Sequence, residues 1–227
     1  MNATRVGRGV VVAALLAVVG APAAGRAAEF EVTITNLTRG QQFTPILVAS
    51  HRKGLTPPLF TLGQPASAEL ATLAEEGDTV PLKTMLSAMP DVRDVTDSGG
   101  LLNPGASVTV TVAVGGGADH VSVAAMLIPT NDGFFAVTDV RGPVGKNPVV
   151  VFSPAYDSGS EVNDELCASI PGPNFAECGG PGGGQKPVGG EEGFVHIHAG
   201  IHGIGSLIAS NRDWRNPVAR IEIRRKP

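Results

Sequence analysis

Two stretches of this chain carry side chains whose types and spacing could do chemistry. The first is acidic. Thr130-Asn131-Asp132-Gly133 and, further on, Tyr156-Asp157-Ser158-Gly159-Ser160-Glu161-Val162-Asn163-Asp164-Glu165 gather carboxylates, amides and hydroxyls into two short segments. Hard cations such as Ca2+ take six to eight oxygen ligands at flexible distances, supplied by such groups. The two segments are therefore a candidate Ca2+ site, and Gly159 permits the tight bend that would let neighbouring side chains converge. The spacing is not that of an EF-hand loop. Asp and Ser also serve as ordinary turn residues, which is the competing reading.

The second stretch is Val195-His196-Ile197-His198-Ala199-Gly200-Ile201-His202-Gly203. In an extended strand, residues i and i+2 share a face, so His196 and His198 are expected to point together. With His202 they form an alternative site, for Zn2+ or Cu2+, the ions that imidazole nitrogen suits. Catalytic zinc needs three protein ligands, and a polar strand face explains the same residues without any metal. No G-x-S-x-G elbow, H-E-x-x-H pair or Walker loop occurs, so no catalytic residue is assigned. The single Trp214 reads as a core residue.

These loops need a scaffold, and strand signals supply one. Phe30 to Thr35 and Ser107 to Val114 alternate apolar and polar residues, as half-buried strands do. His120 to Ile128 is a nearly continuous apolar run, the pattern of a strand buried on both faces. Phe43 to Ala49, Phe134 to Val137, Val149 to Phe152, Phe194 to Ile197 and Val218 to Ile223 bring the set to about eight strands. An all-β antiparallel sandwich or barrel is the expected architecture. Gly115-Gly116-Gly117 reads as a hairpin turn. One helix is expected over Ser67 to Glu76, stopped by Gly77, and a shorter one over Thr79 to Ala88, the pair capping one end of the sandwich. The stretch 172–193, mostly Gly, Pro, Glu and Lys, reads as a mobile surface loop.

Composition narrows the function. Of 227 residues, 30 are Gly and 18 Pro, below the share at which low-complexity disorder becomes the better reading. One loop-rich domain, residues 29–227, is expected. The formal net charge is −4, and the one basic cluster, Arg224-Arg225-Lys226, closes the chain. Phosphate binding needs clustered Lys and Arg, so nucleic acid is excluded as a partner and cations are better matched.

The amino terminus carries an address. Arg5 and Arg8 precede the apolar run Val10 to Val19, and small residues follow at Ala21-Pro22-Ala23-Ala24 and Ala27-Ala28. That grammar reads as a signal peptide over residues 1–28, with Ala23, Ala24 and Ala28 as cleavage positions and Ala28 preferred. The run is too short to span a bilayer, for which about 20 apolar residues are needed. Export to the periplasm or beyond is expected, with no transmembrane segment in the mature chain. Cys167 and Cys178, the only cysteines, fit one disulfide in an exported chain.

The ordered set of these pieces resembles the spondin domain, the amino-terminal-type module of F-spondin and mindin, in its bacterial secreted single-domain form. The matching residues are Phe30-Glu-Val-Thr-Ile-Thr-Asn36, Phe43-Thr-Pro-Ile46, Ala49-Ser-His51, Met126 through Phe135, Tyr156 through Glu161 and Asn216-Pro-Val-Ala-Arg-Ile221. The resemblance implies a β-sandwich similar to calcium-dependent lipid-binding domains, with a divalent cation held by loops at one end. It carries a ligand role onto Asp132 and Asp157, and an acidic family position onto Glu161. Asp164 is added as a neighbour in sequence. Mindin-like members take a further carboxylate from the preceding hairpin, which Ser107 to Val114 does not offer. The expected function is thus a secreted Ca2+-binding module acting in extracellular binding or adhesion, with a protein or glycan partner. The alternatives are a histidine-cluster Zn2+ or Cu2+ protein, a metalloenzyme, or an inert envelope scaffold.

Overall fold

The computed structural model describes residues 1, 3 and 28–227, so the expected signal segment lies almost wholly outside the described residues. Thirteen strands occur among them. The first are β1 (Glu29–Asn36), β2 (Gln42–Phe43) and β3 (Leu47–His51), followed by helices α1 (Ala68–Glu76) and α2 (Val80–Ser87). Next come β4 (Val92–Asp97), β5 (Ser107–Ala113), β6 (His120–Ile128), β7 (Gly133–Arg141), β8 (Val149–Ser153) and β9 (Ala155–Asp157). The chain closes with β10 (Asn174–Phe175), β11 (Gly180–Pro181), β12 (His196–Ile197), the single turn α3 (Ala209–Arg212) and β13 (Ala219–Arg225).

Two antiparallel sheets form the sandwich. One has the order β5-β1-β13-β8; the other runs β12-β9-β7-β6-β3-β4, with β2 added alongside β6. Side chains alternating off β1 (Phe30, Val32, Ile34) meet Val48, Val123, Ala125, Phe135 and Val137 of the facing sheet in the main core, joined by Ile221 and Ile223 of β13. The alternation read in β1 is its burial pattern, every second residue fully covered.

The helices do not cap an end of the sandwich, as their position in sequence led us to expect. They form a third layer on the outer face of the larger sheet. There Leu70, Leu73 and Ala74 of α1 and Leu82 and Leu86 of α2 pack with Leu47, Ala49, Ala124, Phe134 and Ala136. This layer is why all nine residues of β6 are buried. Neighbouring residues of one strand feed opposite cores, because successive side chains leave opposite faces. The helix limits have local causes. Ser67 accepts the backbone N–H of Leu70 as N-cap, and Gly77, at φ 69°, closes the last turn onto Leu73.

Three further expectations change. Phe43 to Ala49 is interrupted between β2 and β3, which pair with different stretches of β6. The glycine turn at 115–117 does not join paired strands: β5 and β6 lie in different sheets, and a local bridge between Gly115 and Ala118 turns the chain across. The segment 172–193 contains the β10–β11 ladder and a 3-10 turn, Ala176–Cys178. Cys167 and Cys178 form a disulfide with Cα atoms 5.5 Å apart. Arg212 clasps Glu177 within that turn through Nε and Nη2, at 2.8 and 2.7 Å.

Candidate metal centre

Three strands bring the candidate residues together. Gly133 opens β7 opposite Asp157, and Asp157 ends β9 opposite His196 of β12. The tight turn after β6 puts Asp132 directly beside this row. Thr130 shapes that turn, its hydroxyl donating to the Leu127 carbonyl (2.5 Å) and accepting the Gly133 N–H (3.0 Å).

Asp132 is completely buried. Its Oδ2 accepts the Ser158 hydroxyl (2.9 Å) and the backbone N–H groups of Ser160 (2.8 Å) and Glu161 (3.1 Å). Its Oδ1 has no protein partner. Burial, reinforced by the nearby Asp157, pushes the Asp132 carboxyl up to about 6 against those hydrogen bonds. Asp157 is buried as fully. It accepts Gly159 N–H on Oδ1 (2.8 Å) and the Asn163 amide on Oδ2 (2.7 Å). Burial raises its carboxyl too.

Glu161 is buried with Oε2 unpartnered. Burial, and then the charges of Glu75 and Asp132, push its carboxyl up to about 8. Asp164 is arranged differently. Its oxygens accept from Asn131 Nδ2 (2.9 Å), Leu166 N–H (2.9 Å) and the Ser169 hydroxyl (2.6 Å), so it ties the loop together. Its neighbour Glu165, a left-handed residue at φ 54°, accepts the backbone N–H groups of His202, Gly203 and Ile204.

The histidines divide. His196 Nε2 lies 3.5 Å from Asp157 Oδ1, and His198 Nε2 lies 4.0 Å from Asp157 Oδ2, so both point to Asp157 as strand alternation requires. Both Nε2 atoms are buried and unpartnered. Burial holds the His198 ring down to about 4, hence neutral near pH 7. That ring sits 5.0 Å from the buried Trp214. His202 is exposed and lies outside the tightest group of ligand atoms. That group is Asp157, Glu192 and His196, whose donor atoms all fall within 4.8 Å of one another.

Glu192 was not foreseen, because it sits at the end of a Gly-rich stretch with no periodicity to flag it. Gly159 explains its approach. At φ 66° it turns the chain so closely under Phe194 that a Cβ would stand 2.3 Å from the Phe194 carbonyl oxygen. The Gly159 carbonyl then accepts the Gly193 N–H at 2.8 Å, which docks Glu192 beside Asp157.

The arrangement has a plain electrostatic character. Three buried carboxyls share one neighbourhood, two with an oxygen that no protein donor reaches. Buried charge is tolerated when paired or bound to a metal. The orphaned Asp132 Oδ1 and Glu161 Oε2 and the Nε2 atom of His196 therefore fit a cation.

The disulfide is consistent with an exported or extracellular β-sandwich module, and among the described residues no helix is long and apolar enough to cross a membrane. A family model described as Spondin_N matches residues 34–141, so over that stretch the chain is similar to spondin amino-terminal-type domains. The matched residues include Asp132; Asp157, Glu161, Glu192 and the histidines lie beyond them. No curated protein matches the chain.

Proposed function

We propose that this chain is an exported spondin-type module that holds a divalent cation between the β6–β7 turn and the loop after β9, and binds an extracellular protein or glycan. The observation that carries the reading is Asp132: a fully buried carboxylate with one oxygen braced by four donors from Ser158, Ser160 and Glu161 and the other left bare, beside buried Asp157. Asp132, Asp157 and Glu161 offer hard oxygen donors, which suit Ca2+. Asp164 supports them by fixing Asn131 and the following loop. The role is recognition through a metal-ordered surface, without a catalytic residue.

Thermal melts of the exported chain in EDTA and in Ca2+ test this. A ligand that binds only the folded state at 100 times its Kd adds about 2.7 kcal/mol. Wild type is expected to gain stability in Ca2+, and the Asp132→Ala, Asp157→Ala double variant to gain none. The full gain in the double variant would place the cation elsewhere.

A further inference from the structure

We propose that His196, Asp157 and Glu192 form a transition-metal site for Zn2+, with its remaining position open to solvent. The site shares Asp157 with the Ca2+ reading but draws its selectivity from donors of its own.

The tautomer is the first argument. His196 Nδ1 lies 3.0 Å from the Ile197 carbonyl oxygen, which can only accept. The proton of a neutral ring is therefore on Nδ1, and Nε2 presents a lone pair. Metal-bound histidines have this arrangement, with the far ring N–H given to a carbonyl or carboxylate. His198 has the opposite one. Its Nδ1 accepts the Gly200 N–H at 3.0 Å, so its Nε2 bears the proton and cannot ligate. It is a positioning residue, buried and facing the second oxygen of Asp157 at 4.0 Å.

The distances are the second argument. His196 Nε2 stands 3.5 Å from Asp157 Oδ1 and 3.9 Å from Glu192 Oε2. A shared proton would draw the ring to one carboxylate at hydrogen-bond length, roughly 2.7–2.9 Å. Two ligands of a tetrahedral Zn2+ with bonds near 2.0–2.1 Å stand about 3.3 Å apart, close to the His196–Asp157 spacing of 3.5 Å, and Glu192, at 3.9 Å, would close in on binding. Three electron-rich atoms thus converge with no donor among them, and the histidine nitrogen is sealed from water.

Chemistry chooses the ion. Ca2+ takes oxygen ligands, whereas an imidazole nitrogen with two carboxylates suits Zn2+ and its neighbours in the series. The outer side of Glu192 is exposed, which leaves room for water or a partner's donor in the remaining position.

The test uses the metal-stripped exported chain, titrated with Zn2+ by calorimetry and with Co2+ by visible absorption as a reporter of geometry. One Zn2+ per chain is expected, with a tetrahedral-type Co2+ spectrum. His196→Gln and Glu192→Gln should each weaken binding at least tenfold while the Ca2+ shift in melting temperature persists. His202→Gln should change neither. Circular dichroism of each variant separates loss of a ligand from loss of fold. Undiminished Zn2+ binding in folded His196→Gln would overturn the proposal, as would its loss in His202→Gln alone. A chain stabilised by Ca2+ that takes up no Zn2+ would overturn it and leave the Ca2+ reading standing. Absence of any cation response would overturn both.

Discussion

His196 stands opposite Asp157 in the β9–β12 ladder, and its Nε2 lies 3.5 Å from Asp157 Oδ1 with no hydrogen bond between them. On the other side of Asp157 lies Asp132, whose free oxygen is equally unsatisfied. One carboxylate thus joins two groups of donors that are more than a hundred residues apart in neither case, yet far enough apart that only the fold assembles them.

The metal-free chain should lose stability as pH rises. Asp132 and Glu161 have folded values of about 6 and about 8, above their ordinary 3.8 and 4.5. The stability they add is complete below those ordinary values and is lost as pH rises through the folded ones. His198 acts in the opposite sense, its folded value of about 4 lying below 6.5, so it lowers stability as pH falls below 6.5. Between pH 6.5 and 8 Glu161 acts without that opposition. Melting temperature in EDTA should fall across this window, and saturating Ca2+ should reduce the fall. A flat or rising profile in EDTA would contradict the placement of Glu161.

The helical layer should matter as a core does. Leu73→Ala removes a fully buried side chain between α1 and the larger sheet. A loss of about 2–5 kcal/mol is expected in urea denaturation. A loss under about 1 kcal/mol would match a peripheral helix instead.

Gly159→Ala should damage both stability and the site. The left-handed conformation costs an L-residue about 1–2 kcal/mol, and the added Cβ meets the Phe194 carbonyl. Displacing Phe194 also moves Glu192 away from Asp157, so cation affinity should fall together with the urea midpoint. Unchanged affinity would show that Gly159 does not set the approach of Glu192.

The disulfide closes a short loop. Cys167 and Cys178 are 11 positions apart, for which chain entropy gives about 3 kcal/mol. Cys167→Ser with Cys178→Ser should lower stability by about that amount under oxidising conditions, and dithiothreitol should no longer affect the variant. The Arg212–Glu177 pair, which holds the Glu177 carboxyl below its ordinary value, keeps part of the turn in place.

Much of the scaffold was legible because it follows local rules. β1 alternates in sequence and in burial, and α1 begins at its Ser67 cap and ends at Gly77 as written. What the helix buries against was not legible. Leu70, Leu73 and Ala74 mark an apolar face, but an amphipathic pattern names no partner surface. The β12 strand shrank to two residues because Phe194 turns outward over Gly159 while Val195 enters the helical core. At the site, both candidate groups were visible as residue types, yet their meeting at Asp157 depends on the order β12-β9-β7. Glu192 gave no signal, since its place is set by the hydrogen bond between Gly193 and Gly159 and by the Asn163 amide, which donates to Asp157 and reaches Glu192 Oε1 at 3.5 Å.

Calorimetric titration of Ca2+ into the chelator-stripped exported chain at pH 7 decides whether Asp132 and Asp157 hold a divalent cation. One Ca2+ per chain is expected to bind, with binding abolished in Asp132→Asn while that variant stays folded by circular dichroism. Equal binding by wild type and folded Asp132→Asn, or no saturable binding by wild type, would contradict a cation site there.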